Sequence, residues 1–326
     1  MAKLWKRIKR RILMTITNFR NDCCFSLKLA AYRMIGDLCG RFGLRKIAKF
    51  FHQEKDEWIM AFLKRKLQNV LDSYKADEDF GEAQENAPIW ICWWTGEETA
   101  PALVKQCIRS IRANAGNHPV NLVTQYNYKE YLVIPDYMLK KASEGKMCFA
   151  HLADYIRVAL LAQRGGLWLD ATIFCSAAVP DMCFDIPFFT CKSPRQKCGY
   201  LSEMRWVTFC LGGWKGNVFF RFLSDAFEHY WQTAPCAVDY LFFDHVIELA
   251  YRDVPAIRQL IDAVPENNLH RDDLQAAMNA ALPASEFESV LDSDTVLYKL
   301  SWRETDTETA LEGNGSIYHY FLTKAF

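Results

Sequence analysis

The most regular hydrophobic pattern in this chain lies near its middle. Between residues 149 and 164, apolar residues recur at intervals of three and four, which predicts an amphipathic helix. Gly165 follows at the position where a residue with positive φ often ends a helix. Residues 167–170 then predict a short apolar strand that closes with Asp170. The segment therefore predicts a helix, a glycine turn and a strand that presents a carboxylate.

Strand and helix patterns alternate on both sides of this segment. Apolar runs predict further strands at residues 89–94, 120–125, 207–211 and 296–300. Apolar spacing of three and four predicts further helices at about residues 100–114, 135–144, 217–231 and 238–251. Such alternation is typical of an α/β fold with a mostly parallel central sheet. These folds bind ligands at the carboxyl ends of the strands, which makes Asp170 a candidate site residue.

Two charged residues of the predicted helix can face the same space as Asp170. Asp154 and Arg157 are three residues apart and lie opposite the stripe that contains Leu152 and Ile156. Each residue alone has an ordinary explanation, because such pairs are commonly surface ion pairs and a strand-end aspartate is commonly a turn former. Their convergence in an apolar segment favours one shared polar site.

The first 20 residues predict an amphipathic basic helix. Its apolar residues lie on one stripe, namely Leu4, Trp5, Ile8, Ile12, Ile16 and Phe19, and no acidic residue precedes Asp22. Cations interrupt each apolar run, and no stretch of about 18 apolar residues occurs in the chain, so neither a secretory signal nor a spanning helix is predicted. We expect residues 1–20 to hold a cytoplasmic protein on the anionic inner face of the cell membrane. An organelle transit peptide, or a helix that packs on its own domain, are the alternatives.

Charge divides the chain, although the formal net charge is zero. Residues 1–75 hold 18 Lys and Arg against 6 Asp and Glu, which leaves 21 against 33 for the remainder, out of 39 of each kind. We therefore predict a basic helical N-terminal region at 1–75, an acidic linker at 76–87 and the main domain at 88–326. Because the main domain is acidic, we expect no nucleic-acid partner.

Composition narrows the class of protein further. The chain is 51% hydrophobic and 14% aromatic, enough for a large core and unlike a disordered tail. Its 12 cysteines contain no CxxC pair, so we expect reduced thiols rather than a disulfide scaffold or a zinc site. The glycine-rich phosphate loops GxGxxG and GxxxxGK[ST] are absent from the sequence, which argues against dinucleotide and P-loop sites.

Four segments in a fixed order carry a family resemblance. They are residues 93–101 (WWTGEETAP), 134–137 (IPDY), 150–157 (AHLADYIR) and 165–172 (GGLWLDAT). From about residue 89 to at least residue 246 the chain resembles the capsular polysaccharide synthesis proteins. Those proteins are similar to glycosyltransferases with a DXD sugar-binding motif, including family 32 and the clostridial toxin glucosyltransferases.

The resemblance implies a GT-A fold and transfer of a sugar from a nucleotide-sugar donor. The expected donor is UDP-linked, the acceptor is a lipid-linked or surface polysaccharide, and the α configuration of the donor is retained. In such reactions a diphosphate leaves with growing negative charge, which a divalent cation, Mn²⁺ or Mg²⁺, commonly stabilises. The alternative is a non-catalytic scaffold protein that only binds nucleotide sugars in a polysaccharide assembly complex.

The resemblance also assigns roles to the first candidate residues. Asp154 and Arg157 match a helix pair that holds sugar hydroxyls and phosphate. Asp170 matches the first aspartate of DXD, with a catalytic role and contact to the metal. Trp93 or Trp94 is placed to stack on the nucleobase, although both also suit ordinary core packing. Thr172, a donor-binding candidate, stands where the second aspartate would be, and a hydroxyl is a weaker ligand for a hard cation.

The remaining candidates lie later in the chain. Asp244 is expected to place a catalytic carboxylate near the reacting sugar carbon, or else to pair with Arg252 or cap a turn. Lys299 and Trp302 are expected to close over the donor diphosphate, unless Lys299 is simply a surface cation. His319 is a candidate metal ligand, although a lone histidine between tyrosines is commonly structural.

Overall fold

A computed structural model gives the architecture of residues 15–196, 201–280, 282–291, 293–303 and 315–324. Residues 1–14, which carry most of the predicted basic amphipathic helix, and Cys198 lie outside the described residues. Residues 15–23, which include the last six residues of that predicted helix, are helical. The cysteines within the described ranges are free thiols.

A five-stranded sheet forms the centre of the described structure, in the order β2-β1-β3-β6-β5. The strands are β1 (Ile89–Cys92), β2 (Val120–Val123), β3 (Gly166–Leu169), β4 (Ile173–Cys175), β5 (Phe188–Thr190), β6 (Cys210–Gly213) and β7 (Leu297–Lys299). Strand β1 is parallel to β2 and β3, while β6 is antiparallel to both of its neighbours, β3 and β5. Four strands therefore share one direction, which confirms a mixed α/β fold with a mostly parallel central sheet.

Strands β4 and β7 form a separate antiparallel pair beside this sheet. The predicted strand at 296–300 is thus present as β7, but it does not extend the central sheet. The sequence did not predict β4 or β5, each of which has three residues and no readable alternation. The predicted strand at 207–211 begins later, as β6 at Cys210, and includes both following glycines.

Helices cover both faces of the sheet. They are α1 (Leu27–Arg41), α2 (Arg45–Lys66), α3 (Gln68–Tyr74), α4 (Ala102–Asn114), α5 (Asp136–Ser143), α6 (Phe149–Arg164), α7 (Met182–Asp185), α8 (Val218–Thr233), α9 (Phe242–Asp253), α10 (Pro255–Ala263), α11 (Asp273–Asn279), α12 (Phe287–Val290) and α13 (Ile317–Thr323). Short 3-10 turns occupy Glu97–Thr99, Tyr128–Glu130 and Ala284–Glu286. No helix of the described chain is long and apolar enough to span a bilayer.

The helix predicted at 149–164 is present with those bounds as α6. It ends at Gly165, and both Gly165 and Gly166 have positive φ, at +65° and +97°. A Cβ at Gly166 would collide with the carbonyl oxygen of Pro88, because the two backbones pass closely as β3 pairs with β1. Glycine is therefore required here both by φ and by space.

The helix predicted at 238–251 begins four residues late, as α9 at Phe242. Asp239 ends the preceding segment in a turn, in which its carboxylate accepts the backbone N–H of Leu241 at 2.8 Å. Residues 238–241 are consequently a loop rather than the first helical turn.

Alternation along the central strands divides the core between the two faces of the sheet. On β1 the side chain of Ile91 joins the core that contains Ile108 of α4, whereas Trp90 joins the core of α6 and α8 on the other face. On β3 the same division separates Leu167 from Trp168. The sheet is therefore buried on both faces, as near-continuous apolar strands require.

Residues before the main predicted domain pack into the same structure. Ile59, Leu63 and Leu71 of α2 and α3 belong to the core cluster of α6 and α8. In the acidic segment 76–87, Glu82 forms an isolated β-bridge with Lys215. The domain boundaries at residues 75 and 87 stay a prediction.

Candidate functional site

A cavity of about 370 Å³ opens at the carboxyl ends of β1 and β3. Its lining includes seven of the predicted site residues, namely Trp93, Asp154, Arg157, Asp170, Thr172, Asp244 and Trp302. Residues from five separate parts of the chain thus meet at the edge of the sheet where an α/β fold places its ligands.

The sheet register explains why Trp93 and Asp170 lie at this edge. Strands β1 and β3 run parallel, with Trp90 opposite Trp168, so each strand delivers its next residues to the same end. Strand β6 runs the other way and begins at this edge. The carbonyl of Phe209 accepts the backbone N–H of Asp170 at 2.9 Å.

Asp170 is held by three side-chain donors. Its Oδ1 accepts hydrogen bonds from Arg157 Nη2 at 3.1 Å and from Trp168 Nε1 at 3.0 Å, and its Oδ2 accepts one from Lys299 Nζ at 2.9 Å. Burial raises the pKa of this carboxyl, but the charges of Lys299 and Arg157 outweigh burial and hold the pKa below its ordinary value. Asp170 is therefore an anion fixed between two cations.

Lys299 reaches Asp170 through the small second sheet. Strand β7 places Lys299 opposite Ile173, the first residue of β4, which starts three residues after Asp170. The Lys299 ammonium also donates to Thr172 Oγ1 at 2.8 Å. Lys299 thereby bridges the first and third residues of the Asp-Ala-Thr segment.

Arg157 carries the largest unmet hydrogen-bonding capacity of the site. Its guanidinium is buried over the ring of Trp168, 4.9 Å from the centroid, and Nη1 lies 3.3 Å from Asp154 Oδ1. Within the described chain, its Nε and Nη1 atoms have no hydrogen-bond partner. Buried donors are rarely left unpaired, since each costs about 1–3 kcal/mol. An acceptor supplied by a ligand would satisfy them.

Two further carboxylates of the cavity are harder to ionise. Burial raises the pKa of Asp154 to about 6, although Arg157 opposes this change. Burial also raises the pKa of Asp244, and a hydrogen bond from Trp206 Nε1 at 3.0 Å acts in the opposite direction. Asp244 has this bond to Trp206, whereas Arg252 pairs with Glu248 at 2.7 Å. The cavity thus combines one carboxylate whose charged form is stabilised, that of Asp170, with two whose charged forms are destabilised by burial, those of Asp154 and Asp244.

The tryptophans separate into two groups. Trp93 and Trp302 both line the cavity, with their rings edge to face and their centroids 6.2 Å apart. Among described residues, the buried Nε1 of Trp93 has no hydrogen-bond partner. Trp94 packs instead between Tyr128 and Phe149, with centroids 5.4 and 5.6 Å away, outside the cavity lining. Trp93 is accordingly the better placed of the two for a ligand.

His319 lies on α13, outside the lining of this cavity. Its backbone N–H donates to Ser316 Oγ at 3.3 Å at the start of that helix. Its predicted role as a metal ligand stays a prediction.

The donor set around Asp170 does not fit a divalent cation in this arrangement. Both carboxylate oxygens already accept from cationic side chains, and Thr172 Oγ1 accepts from Lys299. Across the described ranges, no group of three or more His, Cys, Asp or Glu side chains is arranged to hold a metal ion. The predicted Mn²⁺ or Mg²⁺ thus has no ready site here while Lys299 is in place, and metal dependence stays a prediction.

Eleven of the lining residues were not predicted from the sequence. They are Cys92, Phe149, Ala150, Ala153, Trp168, Ala171, Thr208, Tyr240, Leu241, Phe243 and Arg303. Thr208 lies just before β6, but the strand predicted at 207–211 included it, so its position at a strand end was not recognised. For Tyr240 and Leu241, the Asp239 turn signal was present but was assigned to a helix. Trp206, the partner of Asp244, had no readable signal.

A profile of the family described as "Capsular polysaccharide synthesis protein" matches residues 41–321. The chain belongs to this family. The match includes every cavity residue named above and begins at the end of α1.

Individual relatives are more distant. Over 160 residues the chain is 26% identical to "O-glycosyltransferase braB" of Annulohypoxylon truncatum. The aligned segment covers 45% of this chain and 38% of that protein. The chain thus spans well under two thirds of that relative's length. A solved structure, "PaToxG Glycosyltransferase", aligns with a TM-score of 0.39 and 12% identity over 81% of this chain and 95% of that chain. A TM-score this low does not establish a shared fold. The family and the name of the relative agree with the glycosyltransferase expected from the sequence.

Proposed function

We propose that this member of the capsular polysaccharide synthesis family is a glycosyltransferase that binds a UDP-linked sugar in the Asp170 cavity. The observation that carries the proposal is a set of three buried donor atoms, Arg157 Nε and Nη1 and Trp93 Nε1, which have no hydrogen-bond partner among the described residues and belong to side chains that line the same cavity. A nucleotide sugar offers phosphate, base and hydroxyl oxygens as acceptors for such donors. In this proposal the cavity lies in a GT-A fold with a DXD-like motif at Asp170, related to family 32.

Positive charge from the protein itself balances the leaving diphosphate in this proposal. Lys299 and Arg157 flank Asp170 at 2.9 and 3.1 Å, so Asp170 fixes both cations before the donor binds. Preorganised charge of this kind stabilises a developing anion without reorganisation. Lys299 donates to both Asp170 and Thr172, the two positions that match the aspartates of DXD. We therefore propose that its ammonium replaces the divalent cation.

The two carboxylates whose charged forms are destabilised by burial would contact the sugar of the donor. Asp244 would lie near the reacting sugar carbon, where a carboxylate stabilises an oxocarbenium-like transition state. Asp154 would accept hydrogen bonds from sugar hydroxyls. Trp93 and Trp302 offer flat faces for the nucleobase. We propose that transfer retains the α configuration of the donor, and NMR of the product's anomeric centre would test this point.

The acceptor belongs outside the cavity mouth. We propose a lipid-linked or surface polysaccharide acceptor, and a cytoplasmic location on the inner face of the membrane, with residues 1–20 as one contact. Exposed aromatic and aliphatic side chains at the rim, those of Phe149, Tyr240 and Leu241, support an acceptor that is partly apolar or sugar-like.

The proposal is tested by the consumption of nucleotide sugars. Purified protein is incubated with a panel of UDP-, GDP- and ADP-linked sugars, and the release of the nucleoside diphosphate is measured. We expect turnover of at least one UDP-sugar and a loss of about a hundredfold or more in Asp170→Asn, because the two cations lose their anchor. Absence of turnover across the panel, or full turnover in the variant, would contradict the proposal.

Thr172 is the observation that favours the alternative, a non-catalytic scaffold protein that binds nucleotide sugars. In that case calorimetry detects UDP-sugar binding that Asp170→Asn weakens, while no member of the panel is consumed even when lipid-linked acceptors are added.

A further inference from the structure

The turn between α1 and α2 exposes an unusual concentration of apolar and basic side chains. Every residue from 41 to 47 is exposed. Phe42, Leu44, Ile47 and Phe50 have exposed fractions of 74%, 49%, 46% and 53%. Four large apolar side chains within nine residues form a patch that a soluble surface rarely leaves open. We call residues 41–50 the hairpin tip.

Cations are interspersed with these apolar residues. Arg41, Arg45, Lys46 and Lys49 lie in the hairpin tip, and the sequence has no acidic residue between Asp37 and Glu54. Arg41 donates to Thr15 Oγ1 at 3.1 Å. The ion pairs between described residues do not include Arg45, Lys46 or Lys49. The positive charge of the hairpin tip is therefore available to an external anionic surface.

The apolar surface continues from the hairpin tip along α1. Met34 and Leu38 are both about half exposed and lie one turn apart on the same side of the helix. Beside them a groove of about 260 Å³ is lined by residues that include Ile16, Phe19 and Met34. A bilayer interface accommodates such a face, because lysine and arginine keep their charged ends at the headgroups while apolar side chains enter the acyl region.

We infer that the hairpin tip docks the protein on a bilayer that contains anionic lipid. Charge complementarity identifies the binding surface as anionic lipid: the hairpin tip has four cations and no acid, and each cation near a negative membrane surface strengthens binding. A second copy of this chain presents the same positive surface and would repel it. The hairpin tip adds residues 41–50 to the contact proposed for residues 1–20, whose Ile16 and Phe19 line the adjoining groove, and its relevance to a lipid-linked acceptor rests on the proposed function.

Buried ion pairs join this hairpin to the rim of the cavity. Arg33 of α1 and Lys55 of α2 both contact the Asp239 carboxylate, at 2.9 and 3.1 Å. The loop that contains Asp239 also supplies Tyr240 and Leu241 to the cavity lining. Arg33 lies nine residues before Phe42, about 14 Å along α1 at 1.5 Å per residue. Docking the hairpin tip would thus hold the cavity mouth at a set height above the membrane.

The inference is tested by sedimentation of the full chain with vesicles. Phosphatidylcholine vesicles are compared with vesicles that also contain phosphatidylglycerol. We expect binding to the anionic vesicles, weakened about tenfold or more in the double variant F42S/L44S, because two inserted apolar side chains are lost. The triple variant R45Q/K46Q/K49Q should lower both the affinity and its salt dependence. V133S, which alters an equally exposed apolar residue outside the hairpin tip, should bind as the wild type does.

Several outcomes would overturn the inference. Equal binding to neutral and anionic vesicles would remove the role of charge. Unchanged binding of F42S/L44S would show that other residues, such as 1–20, make the contact. Self-association of the wild type that F42S/L44S abolishes, with no vesicle binding, would assign the hairpin tip to a second copy.

The outcome is also separate from that of the proposed function. F42S/L44S should consume a soluble UDP-sugar at the wild-type rate, which shows that the variant folds. If the wild type binds vesicles but consumes no nucleotide sugar, the proposed function is contradicted and the docking inference still holds.

Discussion

Asp170 shows how a single carboxylate organises this site. Its two oxygens hold Arg157, Trp168 and Lys299, and the resulting charge balance keeps the carboxyl ionised despite burial. Arg157 lies in the cavity lining and has donors with no hydrogen-bond partner among the described residues, whereas Lys299 is held on Asp170 and is not itself a lining residue. Substitution of Lys299 and of Asp154 should therefore have separate and measurable effects.

Lys299→Met should lower kcat/KM for the UDP-sugar by about a hundredfold, because the positive charge at the leaving diphosphate is lost. Lys299→Arg, which keeps the charge, should retain more activity than Lys299→Met. Wild-type activity should survive chelation by EDTA. Activity that EDTA abolishes and Mn²⁺ restores would instead assign this role to a metal ion.

Asp154→Asn should change the pH dependence of stability. In the wild type the pKa of Asp154 rises from 3.8 to about 6 on folding, so the folded state binds more protons between these values and stability falls as pH increases. Because asparagine does not titrate, the variant lacks this loss of stability with increasing pH. Its free energy of unfolding, relative to the wild type, should increase by up to about 3 kcal/mol between pH 3 and pH 7 in urea titrations. Parallel curves for the two proteins would show that Asp154 ionises normally.

At the scale of elements, the turn from α6 into β3 places Asp170 beside Trp93. Gly165 and Gly166 permit a close approach of β3 to the segment before β1, and the parallel register then carries both strands to one edge. The position of the site is thus decided partly by backbone contacts rather than by side-chain chemistry.

Gly166→Ala should destabilise the fold, since its Cβ meets the Pro88 carbonyl oxygen while φ is positive. Gly216→Ala is a matched control, because Gly216 has a φ of +77° but open space around its Cβ. We expect the control to lose about 1 kcal/mol from backbone strain and Gly166→Ala to lose several kcal/mol more, measured by denaturant unfolding. Equal losses would mean that the strand relaxes away from Pro88.

Some helices and strands could be predicted from the sequence and others could not. Helix α6 was predicted with its observed bounds, because sixteen residues of helical spacing end at glycines. Helix α9 was started too early, because the Asp239 turn was read as helix. Strands β4 and β5 are too short to show a period. The bridge from Lys299 to Asp170 joins residues 129 positions apart, and only the pairing of β4 with β7 brings them together.

At the scale of the whole molecule, the N-terminal helices and the sheet form a connected structure. Core packing by α2 and α3 and the ion pairs at Asp239 link the exposed hairpin tip to the cavity rim. The basic N-terminal part of the sequence thus carries the hairpin tip, for which we propose binding to anionic lipid, and the acidic remainder carries the cavity, for which we propose binding of a nucleotide sugar.

A crystal structure of the protein with UDP would locate the nucleotide. We expect diphosphate oxygens within hydrogen-bond distance of Lys299 Nζ and Arg157 Nε, with the uracil against Trp93 or Trp302. UDP bound away from the Asp170 cavity, for example in the charged cleft beside Arg205 and Arg252, would contradict it.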